Sequence, residues 1–310
     1  MKRKQSGSKI MMRLIKLVKP LAFFMVLAVI LGVTGFLCAI QITVLGSMTL
    51  LTAAGINGGL AIKTGCICII IFAVLRGFLH YGEQACNHYI AFKLLALIRD
   101  KVFKSLRRLT PAKLEGKDKG NLISLITSDI ELLEVFYAHT ISPICIAFLT
   151  SLVMLIFIGR YSSWLMLVAL AAYITVGIII PLASSKFNKN IGMTYRENSG
   201  ALSGYVLDSM RGLLESIRYN STDTRLNEMN EKTDELNSLQ KKLKKIEGRN
   251  ISITDISIIF FSITMLLVAI CLYQKGTIGF DGLIVSTVAM MSSFGPVAAL
   301  SNLAGNLTHT

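Results

Sequence analysis

The sequence predicts an all-α membrane protein in which six transmembrane helices carry long cytoplasmic helical extensions. Of the 310 residues, 53% are hydrophobic and 16% are charged, whereas soluble domains have about 45–50% and about 25%. The apolar residues are concentrated in blocks that contain no Asp, Glu, Lys or Arg. Because these blocks recur along the whole chain, a soluble enzyme, a secreted disulfide scaffold, a disordered tail and a cleaved signal peptide do not explain them.

The apolar blocks divide into six predicted spans, since an uncharged stretch of about 18 residues or more can cross a bilayer. The first block is too long for one span and breaks at the small, turn-forming run Ala53–Gly59. The second span continues past Lys63 and Arg76. The predicted spans are 21–51, 60 onward, 135–158, 163–181, 256–273 and 283–303.

The connections between the spans predict the orientation of the chain. Three short loops join the helices in pairs, whereas the connections 93–134 and 186–249 are long and charged. Segments 1–20, 93–134 and 186–250 hold 28 of the 32 Lys and Arg residues. Because cytoplasmic loops collect these residues, both termini and both long connections are predicted to be cytoplasmic in a multi-pass plasma-membrane protein. The net charge of +14 then reflects topology and attraction to the lipid bilayer, and no nucleic acid partner is expected.

Both long connections keep a helical periodicity. Apolar residues recur at helical spacing over 93–109 and again from Leu122, and residues 186–211 and 224–249 are rich in helix formers. Each connection contains one short exposed turn, Lys113–Asn121 in the first and Gly212–Thr222 in the second. About 20 extra residues extend each helix roughly 30 Å from the bilayer. A turn held that far from the membrane favours a docking function; the alternative is a solvated surface hairpin.

Helix two carries a stripe of polar residues within an apolar segment. At 100° per residue, five of them fall in a sector of about 100° and a sixth lies at its margin: Arg76, His80, Glu83, Gln84 and Asn87, with His88 at the margin. Ionisable side chains in a membrane cost at least about 2.5 kcal/mol each and normally face a bundle interior or a wet cavity. The stripe therefore predicts the lining of a translocation pathway. The alternatives are that Glu83 and Arg76 are helix-packing partners, or that the lower residues already lie in cytoplasmic water.

The six cysteines show no C-x-x-C pair. A free cysteine behaves as a small hydrophobic residue. All six are therefore predicted to be packing residues, and no zinc or other metal site is expected.

Residues 9–19 alternate basic and apolar positions at helical spacing before Pro20. Such a pattern is typical of an amphipathic helix that lies at the membrane interface. A frayed basic tail is the alternative.

The order and spacing of these features resemble the membrane domain of ATP-binding-cassette (ABC) exporters. The segment 109–132 looks like that family's first intracellular loop, in which a Pro and a short coupling helix precede a Gly and a later Asp-Ile pair; Pro111, Gly120, Asp129 and Ile130 fit this pattern. The segment 210–225 resembles the second loop, in which a Gly precedes an apolar turn and a polar helix.

The resemblance implies an exporter-type transmembrane domain over residues 1–310, with 1–20 as an interfacial elbow helix and 21–303 as the six-helix bundle. It implies that both turns insert into grooves on nucleotide-binding domains, and that a second transmembrane half, identical or different, completes a dimer. The residues so placed are Lys113, Leu114, Glu115 and Gly116 in the first turn, and Gly212, Leu213, Leu214 and Ile217 in the second.

The chain contains no G-x-x-x-x-G-K-S/T sequence, whose backbone amides would hold nucleotide phosphates. No catalytic residue is therefore assigned, and ATP and Mg are expected to act through a nucleotide-binding domain. That domain is expected to follow Thr310 or to be a separate polypeptide, and the first is favoured. A membrane scaffold or regulatory protein that uses the hairpins only for partner binding is the alternative function, and a channel is a weaker third.

A narrower similarity points to the thiol-reductant exporters needed for cytochrome bd assembly. Tyr81, Glu83, His88 and Phe92, followed by Ile141–Pro143, carry this similarity together with the run Ser292–Leu300. A helix-two histidine is implicated in haem contact in that subfamily, and His88 falls at the matching position. The substrate stays open between a thiol, a peptide, haem and an amphipathic small molecule.

Overall fold

A computed structural model describes residues 21–56, 60–109 and 141–309. Within these ranges the regular structure is entirely helical. The expected interfacial helix over 9–19 and the first predicted turn, Lys113–Asn121, lie outside them, as does the beginning of the third predicted span.

The described residues form helices close to the predicted boundaries. Six helical stretches among the described residues are long and apolar enough to cross a membrane, which confirms the predicted fold class; one of them, Ser163–Ser184, runs through two α-helices and the π-helical turn between them. The helices are α1 (Ala22–Ala53), α2 (Ile62–Leu109), α3 (Ser142–Gly159), α4 (Ser163–Ile174), a π-helical turn (Thr175–Ile179), α5 (Ile180–Arg211), α6 (Leu213–Arg218), α7 (Thr222–Gln274) and α8 (Phe280–His309).

Two helices are far longer than a bilayer requires. α2 has 48 residues and α7 has 53. At about 1.5 Å per residue these helices are roughly 70 and 80 Å long, against a hydrocarbon core of about 30 Å. The predicted helical extensions of the spans are therefore confirmed for α2 and α7, and α5 likewise continues to Arg211.

Two helix ends share the same backbone geometry. At the ends of α1 and α7, the glycines Gly55 and Gly276 have φ of 80° and 70°, a left-handed conformation that glycine adopts without steric cost. The N–H of Ile56 donates to the Leu51 carbonyl at 3.0 Å, and the N–H of Thr277 donates to the Leu272 carbonyl at 3.0 Å. These are Schellman motifs, which satisfy the last carbonyls of a helix and reverse the chain.

The chain clusters into two compact units. The first runs up to Ala171 and includes Phe261–Ala299; the second comprises Ala172–Phe260 and the residues from Leu300 onward. In the first unit α1 packs antiparallel on α2. The beginning of α1 meets α2 in an apolar cluster of Leu21, Ile90, Leu94 and Ile98, flanked by the rings of Phe24 and Tyr89, whose centres are 4.5 Å apart.

Glycines let α1 and α2 approach closely further along the same contact. A side chain at Gly65 of α2 would collide with Thr49 of α1, and a methyl group at Gly35 of α1 would lie 3.6 Å from the Cβ of Leu79. Small residues at helix crossings allow close packing in membranes, where no hydrophobic effect drives the helices together. In this hairpin Gly55 therefore forms the turn, whereas Gly35 and Gly65 allow the two helices to pack closely.

The second unit contains the α5–α7 hairpin. Four polar contacts join these antiparallel helices in one constant register: Asn250 to Ser184, Asn198 to Glu235, Tyr205 to Glu228 and Arg225 to Ser209. The paired positions extend over about 25 residues of each helix, or roughly 38 Å. The hairpin is thus held together along its length and not only at its turn.

A proline explains the π-helical turn before α5. Pro181 has no N–H, and its ring would clash with the carbonyl four residues earlier. The turn at Thr175–Ile179 widens the helix, and the N–H of Ile180 donates to the Thr175 carbonyl, five residues back. A π-turn is one of the ways in which a helix passes a proline without ending.

The cysteines differ from their prediction. Cys38 is buried, whereas Cys66, Cys145 and Cys271 are exposed on this chain. The expectation that all six are packing residues is therefore wrong for these three. An apolar span exposes thiols as readily as other small hydrophobic residues, because helical periodicity and not residue type decides which side faces out.

Candidate transport pathway and docking tip

The structure divides the polar stripe of α2 into two sets. Glu83 and Asn87 are buried, whereas Arg76, His80, Gln84 and His88 are exposed on this chain. Glu83 is covered by α1, because its side chain lies against Gly32. Arg76 and His80 share the helix face of the buried pair but lie further along α2, whereas Gln84 and His88 lie further round the helix; all four are accessible to a cavity or a neighbouring chain.

Glu83 occupies the space that glycine leaves on α1. Its Cδ atom lies 3.2 Å from the position that a Gly32 methyl group would take. Oε2 of Glu83 lies 3.3 Å from Nδ1 of His80, one turn earlier on α2. The buried carboxylate of Glu83 packs between helices and is joined by a hydrogen bond to the exposed imidazole of His80.

An apolar groove lies beside the stripe on the same two helices. It has a volume of about 450 Å³ and is lined on α1 between Ile30 and Gln41, and on α2 by Phe72, Leu75 and Leu79. Thr34 is one of its polar side chains, and its hydroxyl donates to the Ile30 carbonyl at 2.7 Å, so it presents little free hydrogen-bonding capacity. The groove fits apolar groups better than polar ones.

The second predicted turn is a short helix with an exposed apolar surface. Gly212 ends α5, and α6 follows at once with Leu213, Leu214 and Ile217 exposed to between 51% and 69%. Ser216 is buried on the opposite side, and its hydroxyl donates to the Gly212 carbonyl at 2.9 Å. The two leucines and the isoleucine are therefore exposed on a helix that the buried Ser216 side chain anchors to the end of α5.

Asn220 closes this tip with the same Schellman geometry as the glycine turns. Its φ is 51°, a left-handed conformation that Asn tolerates better than most residues. The N–H of Ser221 donates to the Ser216 carbonyl at 2.9 Å. The predicted tip residues Lys113, Leu114, Glu115 and Gly116 lie outside the described residues.

Sequence reasoning missed the polar contacts that brace the hairpin behind the tip. The hydroxyl of Tyr205 donates to Oε2 of Glu228 at 2.8 Å, and Nζ of Lys232 lies 5.5 Å from the centre of the Tyr205 ring. The hydrogen bond to Glu228, together with partial burial, raises the pKa of Tyr205. No local sequence motif predicts the Tyr205–Glu228 hydrogen bond, because it depends on the register of two helices joined by a turn.

Two buried polar pairs lie nearer the membrane end of the second unit. Nδ2 of Asn250 donates to the hydroxyl of Ser184, and the hydroxyls of Thr254 and Ser301 are 2.7 Å apart. All four residues are buried. Buried polar groups of this kind fix helix register when each finds a partner. The sequence signal that could have indicated a buried Asn250 is its spacing of seven residues from Leu243, which places the two side chains on the same helix face.

The sequence profile of the ABC transporter transmembrane region matches residues 21–297 of the chain. The chain belongs to this family. Family membership implies that the membrane domain works with a nucleotide-binding domain, through which ATP and Mg act.

Similarity to curated proteins agrees with this assignment. The chain is 44% identical over 307 residues to a "Probable ABC transporter ATP-binding/permease protein" of Haemophilus influenzae, covering 99% of the chain and 56% of that protein. It is 29% identical over 182 residues to "ATP-dependent lipid A-core flippase 1" of Colwellia psychrerythraea, covering 57% of the chain and 29% of the flippase. It is 24% identical over 201 residues to the "Glutathione/L-cysteine transport system ATP-binding/permease protein CydD" of Bacillus subtilis, covering 63% and 34%. The chain thus spans about half the length, or less, of the relatives it matches.

The surroundings of His88 do not fit a haem pocket. The imidazole is exposed on this chain and stacks on Phe92 with ring centres 6.2 Å apart. Among residues 21–56, 60–109 and 141–309, no three His, Cys, Asp or Glu side chains come together as metal ligands. An axial haem ligand normally sits in an enclosed pocket whose polarity tunes the iron.

Proposed function

We propose that this chain is the membrane-spanning half of an ATP-driven ABC exporter, which forms the substrate pathway and couples to nucleotide-binding domains by alternating access. The observation that carries the proposal is the set of exposed apolar side chains Leu213, Leu214 and Ile217 on α6, at the far end of a braced hairpin. Exposed leucines at the end of a long polar hairpin are explained by a partner that covers them. A nucleotide-binding domain is that partner, and the first tip around Leu114 is expected to contact one in the same way.

The mechanism follows from the shape of the hairpin. ATP-driven closure of two nucleotide-binding domains moves the tips that they hold. Because α5 and α7 extend from the second tip into apolar membrane-spanning segments, displacement of that tip tilts those spans between inward-open and outward-open arrangements, and the first tip is proposed to act in the same way. ATP shifts this equilibrium only by binding the two arrangements with different affinity. The orientation with both termini and both tips in the cytoplasm is part of the proposal and is supported by the distribution of Lys and Arg.

The substrate pathway is proposed to run along the exposed set of the α2 stripe and the adjacent α1–α2 groove. Arg76, His80, Gln84 and His88 are exposed on this chain, and at membrane depth such side chains are tolerated only where they face water, substrate or another chain. A second transmembrane half, the same or different, would enclose this surface. The proposed substrates keep the range of a thiol, a peptide, haem or an amphipathic small molecule; relatives named for lipid A-core and for glutathione/L-cysteine support the amphipathic and the thiol classes.

The docking proposal is tested in the complete transporter with its ATPase present. Leu213→Asp places a charge on the proposed contact, whereas Leu226→Asp places one on the shaft of the hairpin at the same exposure of 51%. We expect Leu213→Asp to abolish substrate-stimulated ATP hydrolysis and transport, and Leu226→Asp to retain both. Equal behaviour of the two variants would overturn the assignment of α6 as the docking tip.

The pathway proposal is tested separately. Arg76→Ala with His80→Ala should reduce transport in reconstituted vesicles while basal ATP hydrolysis is retained, because the docking tip is unchanged. Glu231→Ala, at an exposed position on the shaft of the hairpin, is the control and should leave transport unchanged. Unchanged transport in the α2 double variant would remove these residues from the pathway.

A further inference from the structure

A basic face lies on α7 where the helix enters the membrane. Lys241, Lys242, Lys245 and Arg249 are all exposed, and at 100° per residue they fall in a sector of about 100°. Leu243 and Asn250 are buried on nearly the opposite side, against the rest of the second unit. The basic face is therefore turned away from the packing contact of the hairpin.

None of these four cations has a carboxylate partner among the residues that the structure describes. Lys244 differs, because it projects outside the sector and its Nζ lies 2.8 Å from Oε2 of Glu247. Further along the helix, the exposed acidic residue Asp255 also lies outside the sector. Four positive charges on one helix face without internal neutralisation require an external anion or water.

The same face becomes apolar a few residues later. Ile256, Ile259 and Phe260 occupy the same sector, and each is 59–65% exposed. Ile256 begins the uncharged run of α7 that is long enough to span a membrane. One continuous surface therefore changes from cationic to apolar at the depth where phospholipid headgroups give way to acyl chains.

We infer that this face of α7, Lys241, Lys242, Lys245 and Arg249, is a binding surface for anionic phospholipid headgroups, with the acyl chains lying on Ile256 and Phe260. The inference rests on the membrane embedding of α7 and is independent of the proposed transport activity. Arg249 lies about 10 Å and Lys245 about 16 Å along the helix from Ile256, within reach of the headgroup layer with extended side chains. Lys242 and Lys241 lie roughly 21–23 Å away, near one Debye length beyond that layer.

The test measures which lipids the purified full chain retains. The chain is solubilised from bilayers of equal phosphatidylglycerol and phosphatidylcholine, and the ratio of the two lipids bound is measured by native mass spectrometry. Each charge near the surface contributes about a fivefold preference for an anionic lipid. The triple variant K242Q/K245Q/R249Q should lose at least about fivefold in this ratio. Among single variants, R249Q should lose more than K245Q, and K245Q more than K242Q, because the contribution falls with distance from the bilayer.

Two further variants keep the inference falsifiable if charge removal disturbs folding. K242R/K245R/R249K retains the charges and should retain the ratio. K101Q/R107Q/R108Q removes three exposed charges from the extension of α2 and should leave the ratio unchanged. An unchanged ratio in the α7 triple variant, or an equal loss in the α2 triple variant, would overturn the inference. Loss of a dimer in the α7 variant, with the lipid ratio unchanged, would instead identify a second copy of the chain as the occupant and would also overturn it.

Discussion

The close contact of α1 with α2 and α3 at Gly32 can be tested by adding one methyl group. In Gly32→Ala, the new Cβ would collide with Cδ1 of Ile146, lie 3.0 Å from its Cγ1, and lie 3.2 Å from Cδ of Glu83. Favourable carbon–carbon contacts are at about 3.5–4.0 Å. Ile146 is fully buried, so its side chain has little room to move. Inserting a methylene-sized group into such a site typically costs about 1–3 kcal/mol.

Gly46→Ala in the same helix is the matched control. A methyl group at Gly46 has no neighbour within 4 Å. Both substitutions gain about 0.8–1.0 kcal/mol in helix propensity, which cancels when the two are compared. Gly46→Ala should therefore be stabilising, and Gly32→Ala should be about 1–3 kcal/mol less stable than Gly46→Ala.

The assay is reversible unfolding of the purified chain in mixed detergent and denaturing micelles, followed by circular dichroism. The difference in unfolding free energy between the two variants measures the cost of the steric clash at Gly32. If Gly32→Ala is as stable as Gly46→Ala, then α1, α2 and α3 do not meet at this residue as described.

Two other predictions concern the hairpin of α5 and α7. Tyr205→Phe should destabilise the hairpin. Because the pKa of Tyr205 is raised in the folded protein, the loss of unfolding free energy should be full at neutral pH and should disappear as pH rises through that pKa, above about 10. A pH series of unfolding free energies for the original protein and the variant checks this, and a pH-independent difference would contradict it. Asn250→Ala removes a buried hydrogen bond to Ser184 and should cost about 1–3 kcal/mol in the same unfolding assay. Ser252→Ala, an exposed site whose hydroxyl contacts only its own helix in the described structure, should cost much less, and equal losses would contradict the reasoning.

Most of the fold could be predicted because the physical signals are local. Uncharged runs marked the spans, and helical periodicity past Lys93 and Lys186 marked the extensions, which the continuous helices α2, α5 and α7 confirm. The turn at Ala53–Gly59 was predicted from its small residues, and the structure ends α1 at Ala53. These features depend on the residues of one segment and not on its neighbours.

The candidate site was less predictable because it depends on contacts between segments. The sequence placed Glu83 and Arg76 in one stripe, yet only Glu83 is covered by α1, through the space left at Gly32. The partner of Tyr205 is 23 residues away, and it is reached only when two helices are aligned by the turn at Asn220. Helical spacing gives the face of a residue within its helix, but not which faces other helices cover.

The constant register of the α5–α7 contacts has a consequence for how movement is transmitted. Sliding one helix past the other by one turn, about 5.4 Å, would separate all four polar pairs at once. Two of those side chains, Asn250 and Ser184, are buried, so their separation would leave polar atoms away from water. The paired helices therefore resist internal slippage, so that a displacement of the tip at Leu213 would move α5 and α7 together.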